Sequence, residues 1–158
     1  MFLLSRRVSA AASARDRKRW LICAVFVLVF VVYALNYAYF FVDDEVIPFV
    51  YAQNVLDGYG LAYNPDDGRV EGYSDFLTVW IDVAILKVAT TAGAGKLWAI
   101  AMARALAFVC GVALLIGTFM MLSRRFTDDG VPVVAGMAFL ALSGPLAMWS
   151  CTALETTL

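Results

Sequence analysis

Polar and apolar positions along this chain fall into long blocks, without the short alternation of a soluble fold. Residues 1–19 carry Arg6, Arg7, Arg15, Arg17, Lys18 and Arg19 against one acid, Asp16. An apolar run follows from Trp20 to Val42, with Asn36 its one strongly polar residue. As a helix rising 1.5 Å per residue it reaches roughly 34 Å, enough for a hydrocarbon core of ~30 Å. Trp20 at one end and Tyr37, Tyr39, Phe40 and Phe41 at the other suit the two membrane interfaces. A cleaved signal peptide is the rival reading. Its apolar stretch would span about 7–15 residues and close on a small-x-small site. The run here is longer and closes on bulky aromatics, which favours an uncleaved anchor. The bases ahead of it then hold residues 1–19 in the cytoplasm and put the following segment outside.

Three further apolar stretches follow. Residues 76–89 are short and contain Asp82 and Lys87; residues 97–122 have Arg104 in their first third; residues 131–149 contain Gly136, Gly144 and Pro145. A carboxylate at the bilayer centre costs on the order of 2.5–3.5 kcal/mol, so 76–89 is read as a juxtamembrane helix on the outer surface. The second span is then 97–122, running inward to Arg124 and Arg125, with 123–130 a cytoplasmic loop. The third is 131–149, with Asp128 or Asp129 as its cap and Pro132 in its first turn. Residues 150–158 begin a second outer loop. A four-span alternative makes 76–89 cross the membrane; it would put Arg124 and Arg125 outside, against the positive-inside rule. The fold expected is therefore an all-α membrane protein with about three transmembrane helices, plus juxtamembrane helices in a first outer loop, 43–96.

Composition sharpens this picture. Hydrophobic residues make up 63% and charged residues 16% of 158, and mean hydropathy is +0.79. A soluble domain of this size has too little interior for that much apolar surface. Net charge is −1, which offers nucleic acid no basic footprint. There is no His, so Ser–His and Cys–His pairs are excluded, and three Cys make neither a disulfide framework nor a zinc spacing. Chemistry falls to carboxylates. Nine of them lie in residues 43–82 against a single base, Arg69.

The outer segment opens on Asp43-Asp44-Glu45. Residues 46–56 read as a short helix stopped by Gly58 and Gly60, and Asn64-Pro65-Asp66-Asp67-Gly68 is turn chemistry. The acidic triplet has two readings. One is helix capping. The other is a general base at the membrane surface that takes the proton of an attacking sugar hydroxyl, with a second carboxylate orienting the acceptor or holding a divalent ion. Tyr59, Tyr63 and Tyr73 either anchor the loop at the interface or stack on a sugar or isoprenoid. No phosphate-binding glycine loop and no calcium-loop spacing occurs.

The segment DDEVIPFVYAQNVLDGYGLAYNPDDGRVEGYSDFL resembles the first outer loop of bacterial C-type integral-membrane glycosyltransferases, in the arabinofuranosyltransferase and mannosyltransferase-like branch. That loop has a DD pair after the first span, a tyrosine-containing helix, a G-x-G-L turn, an NP turn, then V-E-G-Y-[ST]-N-[FP]-L. Here the last element is Val70-Glu71-Gly72-Tyr73-Ser74-Asp75-Phe76-Leu77, with Asp75 where Asn is usual. Thr152-Ala153-Leu154-Glu155-Thr156 is similar to the family's S-G-L-E-T segment. The resemblance covers residues 20–158. It implies transfer of a sugar from a polyprenyl-phosphate donor to a glycan, lipid or protein acceptor outside the membrane. It further implies Asp43 or Asp44 as the base and Glu155 as an acceptor-positioning carboxylate. Glu45, Tyr51, Glu71, Tyr73 and Asp75 become substrate contacts. Arg104 either meets the lipid phosphate or snorkels to the headgroups. No cofactor is implied beyond a possible divalent ion. Members of the family have many more spans, so 158 residues read as the N-terminal portion of a longer enzyme. The competing functions are a non-enzymatic membrane scaffold or subunit with an acidic outer loop, or a fragment of a lipid-sugar transporter. A transporter would place paired polar groups near mid-membrane; here the carboxylates gather at one interface.

Overall fold

A computed structural model of the chain describes residues 2–68, 70, 72–73, 75–126 and 130–153, with side chains from residue 17 onward. Among these every regular element is a helix. Helix α1 is Phe2–Ala34, α2 Val46–Leu56, α3 Phe76–Thr91, α4 Lys96–Arg125, α5 Val131–Ala141 and α6 Gly144–Trp149. Short 3-10 turns occupy Leu35–Tyr37, Asp43–Glu45 and Pro65–Asp67. The chain divides into two compact units, one from Met1–Asn36 and Val112–Ala147, the other from Tyr37–Gly111 and Met148–Leu158.

In the first unit α1 packs on α5. Phe30, Ala34, Leu115, Val133 and Met137 are fully enclosed, and the rings of Trp20 and Phe119 meet at 5.7 Å. Leu21, Val25, Leu28 and Val32 recur at helical spacing on α1 and are all exposed. Two stretches, Arg17–Tyr37 and Lys96–Arg125, are helices long and apolar enough to cross a membrane.

Helix α1 runs through the basic segment from Phe2. Two boundaries differ from the sequence reading. Helix α1 stops at Ala34, well before Val42. The Asn36 side chain donates to the Tyr33 carbonyl at 2.8 Å, satisfying an acceptor of the last turn and competing with helix continuation. The expected single helix 131–149 is two. Pro145 has no N–H, and its ring crowds the carbonyl four residues back. That residue is Ala141, where α5 ends.

The second unit is built on α2 lying along α3. Its core joins Phe49 and Ala52 of α2, Leu86 and Ala89 of α3, Ala99 and Ala103 of α4, and Ala153. The many alanines let the helix axes approach closely. Both α2 and α3 end in the same hydrogen-bonded cap. Tyr59 N–H reaches the Asn54 carbonyl while Gly58 N–H reaches Val55, and Ala94 reaches Ala89 while Gly93 reaches Thr90. Gly58 and Gly93 take the positive φ this cap requires, +89° and +70°. The sequence places α2 at 46–56 correctly, and α3 begins at Phe76 as expected and runs two residues further than 89.

Candidate functional site

The acidic triplet folds as a single 3-10 turn, and its carboxylates meet two different environments. Asp43 and Asp44 are exposed, and among the described residues no side-chain hydrogen bond engages either carboxylate. Glu45 is the opposite, with 1% of its surface exposed. Its Oε1 accepts from the Val42 backbone N–H at 3.2 Å and from Arg104 Nη2 at 3.1 Å. Its Oε2 accepts from Arg104 Nε at 3.0 Å and from the Ala153 backbone N–H at 3.1 Å. Four donors from three chain segments saturate one carboxylate, as a buried charge requires.

Arg104 is held from several sides. Its Nη2 also donates to the Phe40 carbonyl at 3.0 Å, and its guanidinium lies 5.8 Å from the Phe41 ring centre. Non-helical backbone at 38–42 makes that carbonyl available, which explains why the apolar run does not stay helical to Val42. The two-pronged Arg–carboxylate geometry is strong and directional. Arg104 is thus committed to the protein, through Glu45, and does not stand free at the end of a span. The same guanidinium acts on Cys151, partly offsetting the upward push that burial gives its thiol.

Tyr51 is fully buried; its hydroxyl donates to the Val70 carbonyl at 2.7 Å, and its ring meets Tyr73 edge-on at 5.0 Å. Tyr63 lies 5.8 Å from Tyr51 on another side. These tyrosines organise the loop; of the three punctuating tyrosines, Tyr59 and Tyr63 remain exposed. A side chain at Gly72 would begin 2.7 Å from the Tyr51 hydroxyl oxygen, so the loop passes tightly over that ring. Asp75 caps α3, accepting from Leu77 N–H at 2.9 Å and from the Thr78 hydroxyl at 2.9 Å. Its position in the loop motif therefore has a local structural use.

Glu71 and Glu155 lie outside the described residues, so the expected convergence of Glu155 with the Asp pair is carried only as far as Ala153. That residue's N–H donates to Glu45 Oε2 at 3.1 Å. Among the described residues no three His, Cys, Asp or Glu side chains are grouped to hold a metal ion.

One residue escapes the sequence reading as a site candidate. Asp82, read as an obstacle to spanning, is 1% exposed, and among the described residues its Oδ2 has no hydrogen-bond partner. Desolvation raises its carboxyl to about 7. The signal was its position: Asp82, Leu86 and Ala89 form one buried stripe of α3. No family model, curated protein or solved structure matches this chain.

Proposed function

We propose that this chain is the N-terminal part of an integral-membrane glycosyltransferase that uses a polyprenyl-phosphate-linked sugar. In this reading the chain is a multi-pass protein of the cell membrane that crosses it three times: by α1, by α4, and by the broken α5–α6 pair. Residues 1–19 then lie in the cytoplasm and 43–96 outside. The observation that carries the proposal is the contrast within one turn. Glu45 is locked by four donors, while its neighbours Asp43 and Asp44 are presented free to solvent. A capping role needs neither of them, since the carboxylate that answers the Val42 N–H belongs to Glu45.

Chemically, an acceptor hydroxyl oxygen attacks the anomeric carbon as the bond from that carbon to the lipid phosphate oxygen breaks. The electron pair leaves with the polyprenyl phosphate, and the hydroxyl proton passes to Asp43 or Asp44. Glu45 and Arg104 act as positioning residues that fix the turn. Asp43→Asn or Asp44→Asn, at least one of them, should lower sugar transfer by about 10²–10⁴-fold in membranes carrying the full-length protein. Asp66→Asn and Asp67→Asn, in an exposed turn, should leave it nearly unchanged. Near-normal transfer by both single variants and by the double variant would remove the catalytic assignment and favour the scaffold reading.

Topology has its own test. In a background lacking Cys23, Cys110 and Cys151, single cysteines at positions 66 and 155 should label from outside with an impermeant thiol reagent, and one at 126 should not. Labelling at 126 without labelling at 155 would establish the four-span arrangement instead.

A further inference from the structure

The second unit holds a groove of about 310 Å³ that begins at Val46, just after the acidic turn. Its walls are Val46, Phe49 and Val50 of α2, Leu86 of α3 and Ile100 of α4. Gln53, Asn54 and Lys96 complete the lining, and no carboxylate is among the residues that form it. The volume sits at the lower end of small-molecule pockets, roughly 300–1,000 Å³. The polar groups on the lining are unequal. The Gln53 amide N–H₂ is spent on Asp57 at 3.0 Å, and that of Asn54 on the carbonyls of Ala62 and Tyr63 at 2.7 and 3.0 Å. Lys96 is exposed, and among the described residues its ammonium has no ion-pair or hydrogen-bond partner.

Lys96 is also the first residue of α4, a helix of 30 residues. Such a helix is about 45 Å long, against ~30 Å of hydrocarbon and about 40–45 Å with headgroups. Where α4 crosses a bilayer, its first residue therefore falls at headgroup level. An apolar slot with one uncompensated cation at its edge, at that depth, complements an amphiphile carrying a phosphate. We infer that this groove binds one acyl chain of a glycerophospholipid of the surrounding bilayer, whose phosphate pairs with Lys96. The inference rests on α4 spanning the membrane and not on sugar transfer, so failure of the transferase reading leaves it standing.

The test uses the full chain reconstituted in phosphatidylcholine bilayers doped with a lipid bearing a photoactivatable group on one acyl chain. Three probes are compared: a phospholipid, the diacylglycerol with the same chains, and a polyprenyl phosphate. The phospholipid should cross-link to peptides covering 46–56 and 96–104. Lys96→Gln should lower that labelling about fivefold, the loss expected for one lysine at a lipid headgroup. Val50→Trp, which fills the slot, should abolish it there while labelling on α1 persists. Lys96 is exposed, so its substitution leaves the packing intact and gives a reading even if the Trp variant misfolds. Equal labelling by diacylglycerol, no response to Lys96→Gln, or labelling by the polyprenyl phosphate but not the phospholipid would each overturn the assignment.

Discussion

The turn at 43–45 and the middle of α3 each bury a carboxylate to 1% exposure, and they treat it in opposite ways. Around Glu45 the fold supplies four donors, drawn from residues 42, 104 and 153. Around Asp82 the neighbouring buried positions of the helix are Thr78, Val79 and Leu86, the Thr78 hydroxyl donates to Asp75 instead, and among the described residues one Asp82 oxygen has no partner. Burial alone therefore says little about what an acid does. A saturated carboxylate is a fixed negative joint between segments. An unsatisfied one holds its proton in the folded chain until the pH approaches 7, and over that range the fold loses stability because the unfolded chain releases its proton first.

The sharpest way to break this comparison is to strip Glu45 of its cation. Arg104→Met should destabilise the protein by about 3–5 kcal/mol, because it leaves a buried charge without its partner. Denaturant titration in detergent micelles would measure this. The double variant Glu45→Gln, Arg104→Met should lose less than Arg104→Met alone. A loss below about 1 kcal/mol for Arg104→Met would reduce the joint to an ordinary surface pair.

The next effect concerns pH and Asp82. Its folded value of about 7 is raised from 3.8. Below 3.8 both the folded and unfolded chains hold the proton. As pH rises above that value the unfolded chain releases it first, so stability falls until the folded group also ionises near 7, then levels off. The interval corresponds to an upper limit of roughly 4 kcal/mol, which local relaxation and water entry reduce. Asp82→Asn should flatten the stability profile between about pH 4 and 7 by roughly 2 kcal/mol relative to the native chain. Parallel profiles for the two proteins would show that Asp82 is solvated after all.

The smallest effect sharpens the middle ground. Asp75 is half-buried and has two local donors, Leu77 N–H and the Thr78 hydroxyl. Asp75→Ala should cost about 1 kcal/mol as a lost helix cap, and Asp75→Asn should recover most of it. Thermal unfolding followed by circular dichroism would rank the two. Equal losses would mean that charge, and not the capping geometry, matters at this position.

Local chemistry was legible in the residues themselves. Gly58 after Leu56 marked the end of α2, and Asn64-Pro65 marked a turn that the structure forms, with the Asn64 side chain accepting from Asp66 N–H. Long-range pairing was not legible. Asp43, Asp44 and Glu45 are three similar acids in a row, and nothing in their spacing says that the third turns inward. That is decided by Arg104, 59 residues away, and by a backbone N–H 108 residues away. The end of α1 was hidden for the same reason. Residues 35–42 are apolar enough to continue a helix, but the Phe40 carbonyl serves Arg104, and Asn36 turns back on Tyr33. The break between α5 and α6 was written in Pro145; apolar composition masked a backbone restriction.

The tight passage of the loop over Tyr51 couples two positions genetically. A methyl at 72 would meet the Tyr51 hydroxyl oxygen at 2.7 Å but the ring carbon bearing it at 3.6 Å, an ordinary contact distance. Alanine at 72 therefore forces the buried Tyr51 hydroxyl to move, whereas phenylalanine at 51 leaves an ordinary contact. A selection starting from Gly72→Ala should return Tyr51→Phe as its suppressor, and position 72 should be free to take alanine only after the tyrosine at 51 has changed.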